Sequence, residues 1–548
     1  MVGYFEAGYI KARYLRDVLL FVCLVLPLAS HADQFSDAVT TLNADSFTEK
    51  EQAIYALVAL GDERSTPVLK AMLEGKLHYA RESGELLYER EENRETVYET
   101  VFGGEPFVVE SRRDASKIRT NNNLRRQLRT AIAGLELGSE AVEVRLKAAR
   151  NLVNNSSEDL TQTIRDAMAI EDDKKVQEYL STALALVDIN SSDHELRLSS
   201  IERLGNSLES EALAALMPLV RADDDGNFAE ENQDIRDAAA LAIKKIEGKL
   251  AFYGTVENVF FGLSLGSVLL LAAVGLAITF GVMGVINMAH GEMIMLGAYT
   301  TYVVQLLMPN LIEASLIVAI PAAFLVAGAM GVLIERLVIR HLYGRPLETL
   351  LATFGISLIL QQAVRSIFTP LNRQVITPDW MSGSFEINGA LSLTFNRFYI
   401  IWFSLLVVIA LVWLTRQTFF GLQMRAVTQN RAMANSMGIR SGWVDAMTFG
   451  LGSGIAGIAG VALSQLTNVG PNLGQAYIID SFMVVVFGGV GNLFGTVFAA
   501  MSLGVVNKFL EPFAGAVLGK IIVLVFIILF IQWRPRGMFA LKGRAAED

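Results

Sequence analysis

What most constrains this chain is a succession of apolar runs beyond Leu250. They lie near Val259–Phe280, Met293–Met308, Leu316–Leu337, Leu350–Phe368, Ile400–Leu414, Ala446–Leu466, Ile478–Phe487, Phe498–Val506 and Ile521–Ile531. Hydrocarbon leaves peptide groups without water to bond, so such runs are expected to be membrane helices, each needing about 20 residues to cross. Several runs are interrupted by glycine and two or three are short, so about eight or nine transmembrane helices are expected. The first 250 residues are different: they hold 44 Asp and Glu against 30 Lys and Arg, whereas the remainder holds 12 against 16. An acidic soluble module therefore precedes a nearly uncharged membrane module. Nucleic acid is excluded as a partner, because phosphate binding needs clustered Lys and Arg and the arginines form no such stripe.

Lys11, Arg13 and Arg16 precede the apolar run Val18–Leu28, which is followed by Ser30-His31-Ala32. This is the pattern of a secretory signal cleaved after Ala32, and the run is too short for an anchor. The only cysteine, Cys23, falls inside it, so no disulfide, zinc or thiol chemistry is expected of the mature chain. Val22 is not the small residue that lipoprotein processing requires.

From Asp33 to about Leu250 helical stretches resemble one another. RLKAARNL at Arg145–Leu152 returns as RLSSIERL at Arg197–Leu204, IRDAAALAI at Ile235–Ile243 echoes both, and Glu51–Leu73 gives an earlier copy turning at Gly61-Asp62. Helix pairs that bury one face only by stacking make an α-solenoid of HEAT-like repeats; a plain helical bundle is the equal alternative. Leu77–Val109 alternates around Gly103-Gly104 and is expected to be a small β insertion. The expected organisation is a signal at 1–32, an extracytoplasmic α-helical domain with a β insertion at 33–250, and an all-α polytopic membrane bundle at 251–548. No Ser/His/Asp set, H-E-x-x-H or phosphate loop appears in the front domain, so binding or spacing is its expected role rather than catalysis.

Two signals orient the membrane part. The secretory signal places residue 33 onward outside. Arg336, Arg340 and Arg345, then Arg416, Arg425, Arg431 and Arg440, then Arg534, Arg536, Lys542 and Arg544 mark three cytoplasmic regions, while the loop Thr369–Asn396 is external. An outside start and an inside end need an odd number of crossings.

Polar residues inside the apolar half include Asn258, Asn287, His290, Glu292, Thr353, Gln361, Gln362, Gln465, Asn468, Asp480, Asn492 and Asn507. Polar groups at bilayer depth are functional-site candidates. The set is rich in carboxamides and poor in charge, which suits a small neutral polar solute. Asn287, His290, Glu292, Thr353, Gln361, Gln465 and Asn492 are the candidate pathway residues. For Gln361, Gln362 and Asn507 an interhelical hydrogen bond is the competing reading, for His290 a helix-end cap, for Glu292 a charge at the cytoplasmic face. Glycines four apart (Gly262 and Gly266, Gly450 and Gly454, Gly491 and Gly495, Gly515 and Gly519) read mainly as close helix packing. Two stretches, Gly281–Gly291 and Gly488–Gly495, combine glycine with polar side chains and read instead as broken helices lining a cavity.

Thr415–Asp445 is too polar to cross. Within it Asn430–Met437 reads as a short helix closed by Gly438, with Met433 and Met437 on one side and Arg431 on the other. It is either a docking surface for a cytoplasmic partner or a solvated loop.

Several of these segments carry a family resemblance. GLSLGSVLLLAAVGLAITFGVMGVINMAHGEMIMLGAY (Gly262–Tyr299), RAVTQNRAMANSMGIR, FGLGSGIAGIAGVALSQ, SFMVVVFGGVGNLFGTV and the tail RPRGMFALKGR resemble permease subunits of branched-chain amino acid ABC importers. With VNKFLEPFAGAVLGK and the long signal-bearing front domain, they are similar to the B-type permease of urea ABC transporters. The resemblance implies a bacterial inner-membrane importer of urea, working with a second related permease, two cytoplasmic ATPase subunits and a periplasmic binding protein. It also implies that Arg425, Asn430, Arg431, Ala432, Ala434, Gly438 and Ile439 lie in the helix that couples to the ATPase. The chain itself is expected to be no enzyme and to bind no cofactor, ATP and Mg²⁺ belonging to the partner. Gly515–Ile521, the nearest thing to a nucleotide loop, is one residue short and lacks the Ser/Thr that holds Mg²⁺. The competing readings are a permease for branched-chain amino acids or short amides, an ATP-independent channel, and a membrane-anchored scaffold.

Overall fold

The computed structural model describes residues 34–92, 95–107, 114–222 and 227–539. The expected signal and its cleavage site lie outside these residues. Two compact units divide at Lys249/Leu250, within one continuous helix, Gln233–Met283.

The first unit is helical with a small sheet. It runs α1 (34–41), α2 (Phe47–Leu60), α3 (Ser65–Glu74), the strands β1 (Leu77–Ala80), β2 (Leu86–Glu92), β3 (Glu95–Thr100), β4 (Pro106–Phe107) and β5 (Ala115–Lys117), then α4 (Asn122–Leu137), α5 (Val142–Asn154), α6 (Thr161–Ile170), α7 (Lys174–Asp188), α8 (His194–Leu204), α9 (Ser210–Val220) and the start of α10 (Gln233–Met283). The strands pair antiparallel in the order β4-β3-β2-β1-β5. Gly61, at φ 61°, is the left-handed residue that ends α2. Leu57, Leu69, Leu77, Leu124 and Leu128 are among the apolar side chains that close the core between helices and sheet.

The recurring basic residue of the sequence repeats has one job. In α5, Arg145 Nε donates to Glu171 at 2.8 Å and Nη1 donates to the carbonyls of Ser139 and Glu140 at 2.9 and 3.0 Å. In α8, Arg197 donates to the Ile189 carbonyl at 3.0 Å and pairs with Glu230. In α10, Arg236 donates to the carbonyls of Glu230 and Glu231 at 2.8 Å. Each guanidinium ties its helix to the preceding chain, and two of them also hold a carboxylate ahead of a later helix. The hydrogen-bonded guanidiniums keep Glu171 and Glu230 below the ordinary carboxylate range.

The second unit contains the rest of α10, then α11 (His290–Leu307), α12 (Ile312–Leu337), α13 (Pro346–Phe368), the hairpin β6 (Ser384–Asn388) and β7 (Leu391–Thr394), α14 (Phe395–Gln417), α15 (Phe419–Gln429), α16 (Arg431–Ser436), α17 (Ser441–Ser464), α18 (Leu473–Gly488) and α19 (Leu493–Trp533). Among the described residues six helices are long and apolar enough to cross a membrane: α10, α12, α13, α14, α17 and α19. That is fewer than the eight or nine runs in the sequence, for two reasons. First, α11 opens on the polar residues His290 and Glu292, and α18 has only 16 residues.

Second, the last two runs lie on two separate arms of α19, which meet at the non-helical Gly515 and are counted above as one. A straight helix of the 41 residues of α19 would be about 60 Å long. Yet Asn492, just before it, donates from Nδ2 to the carbonyl of Phe539, beyond its other end, at 3.0 Å. The chain doubles back at Gly515, whose φ of 74° and ψ of 164° are open essentially to glycine alone. The expectation that Gly515 and Gly519 form a packing pair is thereby corrected: Gly515 makes the turn, and Gly519 lies against Leu510 of the opposite arm.

The centre of the bundle is α17, nearly every residue of which from Val444 to Ser464 is buried. A Cβ on Gly452 would stand 2.6 Å from the Gly275 carbonyl of α10, one on Gly457 2.6 Å from the Ala323 carbonyl of α12, and one on Gly460 would strike the Ile294 carbonyl of α11. Burial against lipid gives no hydrophobic drive, so contact between backbones takes its place, and the run GLGSGIAGIAG makes that contact on three sides. Gly262 and Gly266 do the same for α10 against Val505 and Ala500 of α19.

Candidate functional site

The stretch Gly281–Glu292 is where α10 breaks. Gly284 takes φ 66° and the helix stops at Met283. Asn287 Oδ1 then accepts from the N–H of Ala289 at 2.9 Å, and α11 begins at His290. His290 Nε2 lies 2.8 Å from the carbonyl of Ala272, which can only accept, so this nitrogen carries the proton. Ala272 precedes the end of α10 by eleven residues, about 16 Å of helix. The chain thus climbs back inside the bundle before α11 starts. Beside this point α18 also starts: a Cβ on Gly291 would be 2.6 Å from the Gly474 carbonyl. From there α18 runs to Gly488, and the broken segment beyond it, with Gly489 at φ 103° and Gly491 at φ 78°, returns to the end of α10. Gly491 Cα is 2.6 Å from a Cβ built on Gly281. The two glycine-and-polar stretches singled out in the sequence are therefore neighbours.

Against the start of α11 lies one stripe of α13. Thr353, Ser357 and Gln361 are four residues apart, which puts them on one face, and all three are buried. Thr353 Oγ1 accepts from the N–H of Met288 at 3.1 Å. Ser357 Oγ and Gln361 Nε2 both donate to Glu292 Oε1, at 2.9 and 2.7 Å. Asn287, His290 and Glu292 are 0%, 0% and 1% exposed, and among the described residues each keeps one polar atom without a hydrogen-bond partner: Nδ2, Nδ1 and Oε2. Two turns further along α11 the buried hydroxyl of Tyr299 is also unpartnered, its ring 4.8 Å from that of Phe368. Such groups are costly in an apolar interior. The seam offers an amide N–H, a carboxylate oxygen and an imidazole lone pair to something with matching groups.

Of the seven candidate pathway residues, the structure brings Asn287, His290, Glu292, Thr353 and Gln361 together and sets two apart. Gln465, at the end of α17, lines an apolar cleft of about 600 Å³ between α12 and α14, with Leu316, Tyr399 and Trp402 among its walls. Asn492 caps α19: its Oδ1 accepts from Phe494 and Gly495 at 3.1 and 3.2 Å, and its Nδ2 is spent on Phe539. Gln362, next to Gln361, turns to the exposed side of α13. Ser357 was not among the candidates. Its place midway between Thr353 and Gln361 in a helical register was the available signal.

The second candidate region is the segment between α14 and α17. Asn430 caps α16 by accepting from the N–H of Met433 at 2.9 Å, and Gly438, at φ 87°, lets Ile439 close back onto the Ala434 carbonyl at 3.0 Å. Arg425 of α15 holds the Thr415 carbonyl. Ala434 is buried, Ala432 is exposed, and Met433 and Met437 are 63% and 78% exposed. Arg431 turns inward, to Asp445 of α17.

Residues 258–531 match the family model described as the permease component of branched-chain amino acid transport systems. The high-affinity branched-chain amino acid permease BraD of Pseudomonas aeruginosa is 28% identical over 297 residues, which is 52% of this chain and 96% of BraD. LivH of Salmonella typhimurium, of the same description, is 30% identical over 294 residues, 52% of this chain and 94% of LivH. The ribose import permease RbsC of Escherichia coli is more distant, 26% identical over 286 residues. Family and apolar helices together make this a multi-pass membrane protein, and the chain belongs to the branched-chain amino acid ABC permease family.

Proposed function

We propose that residues 251–548 form the translocation pathway for urea in an ATP-driven importer. The observation that carries this reading is the α11–α13 seam. The Asn287 amide is free to donate to a carbonyl, and the Glu292 oxygen is free to accept from an N–H, both fully buried. Urea presents one carbonyl and four N–H groups on a small neutral frame, and needs no counter-ion in hydrocarbon. A branched-chain amino acid is the second reading, favoured by the names of the relatives. Its ammonium would suit Glu292, but its carboxylate would have to enter beside that same carboxylate.

The importer reading includes a second permease, two ATPase subunits that hydrolyse Mg-ATP, and a periplasmic binding protein. It places the chain in the bacterial inner membrane with the front domain outside and the C-terminus in the cytoplasm. In support of that orientation, the end of α10, the 489–492 break and the chain from Arg534 to Phe539 come together at one end of the bundle, where Arg534 and Arg536 favour the cytoplasmic side. Uptake of radiolabelled urea by proteoliposomes holding the complete complex tests the proposal. ATP-dependent urea uptake unaffected by leucine is expected. Leucine uptake that urea does not inhibit selects the amino acid reading, and uptake that persists without the ATPase selects a channel.

A further inference from the structure

A charged cluster where α12, α16 and α17 meet is not used by the pathway. Arg431 opens α16 and donates from Nη1 and Nη2 to the two oxygens of Asp445 at 2.7 and 2.9 Å. Asp445 is on α17, and its side chain is 0% exposed. The same guanidinium lies over the ring of Tyr343, 4.5 Å from its centroid, in the turn that follows α12. Glu335, in the last turn of α12, is a second buried carboxylate. Among the described residues its Oε2 has no hydrogen-bond partner, but it forms an ion pair with the Nε of Arg336 at 3.7 Å. The Arg431 guanidinium therefore answers the buried Asp445 carboxylate, and Arg336 answers that of Glu335, while the opposite side of α16 presents Met433 and Met437 outward.

Two parallel N–H bonds together with a stacked ring fix both the position and the plane of a guanidinium, which a flexible point charge could not do. Any displacement of α16 is then passed to the start of α17 and not absorbed in side-chain rotation. α17 is the most buried of the six apolar helices, and it touches α10, α11 and α12 through backbone contacts.

We propose that Arg431, Asp445 and Tyr343 form a transmission latch, in which Asp445 and Tyr343 are positioning residues that make α17 follow the movement of α16 when an ATPase subunit docks there. This inference rests on the ATP-driven reading.

The test uses the complete reconstituted complex with ATPase and binding protein. Uptake per ATP hydrolysed is measured for wild type, Arg431→Lys, Asp445→Asn, Tyr343→Leu and the double variant Arg431→Lys/Asp445→Asn. Complex yield is recorded for each. Lysine keeps the charge but loses the fork and the stack. Full yield is expected throughout, with uptake per ATP reduced about tenfold in each single variant and no further in the double, since coupled residues are non-additive. Losses that multiply in the double, wild-type coupling in the singles, or failure of the singles to assemble each overturn the latch. Absence of ATP-driven uptake in the wild type instead fails the importer reading, and the latch with it.

Discussion

Glu292→Gln separates a structural role for the buried carboxylate from a role in transport. In the structure Oε1 is fully engaged, accepting from Ser357 and Gln361 at 2.9 and 2.7 Å, while Oε2 is buried and unpartnered. Glutamine has nearly the same shape, and its single carbonyl oxygen can accept both of these bonds, so assembly is expected to survive. What is lost is the charge and the second acceptor. A hydrogen bond to a charged group contributes about 1.5–3 kcal/mol, and each 1.4 kcal/mol is about tenfold. If Oε2 receives an N–H of the solute during transfer, uptake per assembled complex falls about 10- to 100-fold. Glu292→Leu is the companion variant, because it leaves the Ser357 hydroxyl without its acceptor, at about 1–3 kcal/mol, and the Gln361 amide with only its 3.3 Å bond to Ser357. It is expected to lower the melting temperature as well as uptake. The assay is radiolabelled uptake normalised to complex recovered by gel filtration. Wild-type uptake and half-saturation in Glu292→Gln would refute the reasoning and reduce Glu292 to a bolt between α11 and α13.

Asn492→Ala removes the cap of α19 and the bond to Phe539, so stability should fall by about 1 kcal/mol with half-saturation for solute unchanged. A raised half-saturation at unchanged melting temperature would return Asn492 to the pathway. Gly515→Ala places a Cβ in a backbone region open to glycine alone and should cost about 1–3 kcal/mol, read as a lower melting temperature in detergent. An unchanged value would mean that the turn lies elsewhere. In the first unit, Glu171 and Glu230 titrate below their ordinary range because arginines hold them as anions. Their stabilisation is therefore present above the unfolded carboxylate value of about 4.3 and is lost as pH falls through the lower folded values. Hydrogen exchange of α5–α8 in the full-length chain should quicken over that acid range. Glu171→Gln and Glu230→Gln together should flatten the dependence, and a persisting slope would assign it to other groups.

Much of the architecture was legible because the membrane leaves few solutions. The apolar runs gave the helices, and the copies around Arg145, Arg197 and Arg236 were recognisable because a shared hydrogen-bonding task conserves the basic residue and its spacing within the chain. Gly515 and Gly519 were misread because spacing alone cannot distinguish a glycine that lets a neighbour approach from one that takes a left-handed turn. Gln465 and Asn492 lie apart from the other five candidates for a related reason. A sequence shows which residues own amide groups, but which amides are already spent depends on caps and distant carbonyls such as that of Phe539.

The same distinction sharpens what the α10–α11 break can do. Broken helices in a membrane suggest that freed backbone groups meet the solute, and the glycines of Gly281–Glu292 invite that idea. Here the backbone N–H groups of Met288, Ala289, His290 and Glu292 are occupied. The N–H of Met288 is taken by Thr353, that of Ala289 by the Asn287 side chain, that of His290 by the Asn287 carbonyl and that of Glu292 by the Ala289 carbonyl. The break therefore serves to carry the start of α11 back beside Ala272, where Asn287, His290 and Glu292 each arrive with one polar atom unspent. Selectivity in this permease should consequently follow side-chain identity at Asn287 and Glu292. Substitution at Thr353, whose hydroxyl only satisfies the N–H of Met288 and its own helix, should affect stability more than choice of solute.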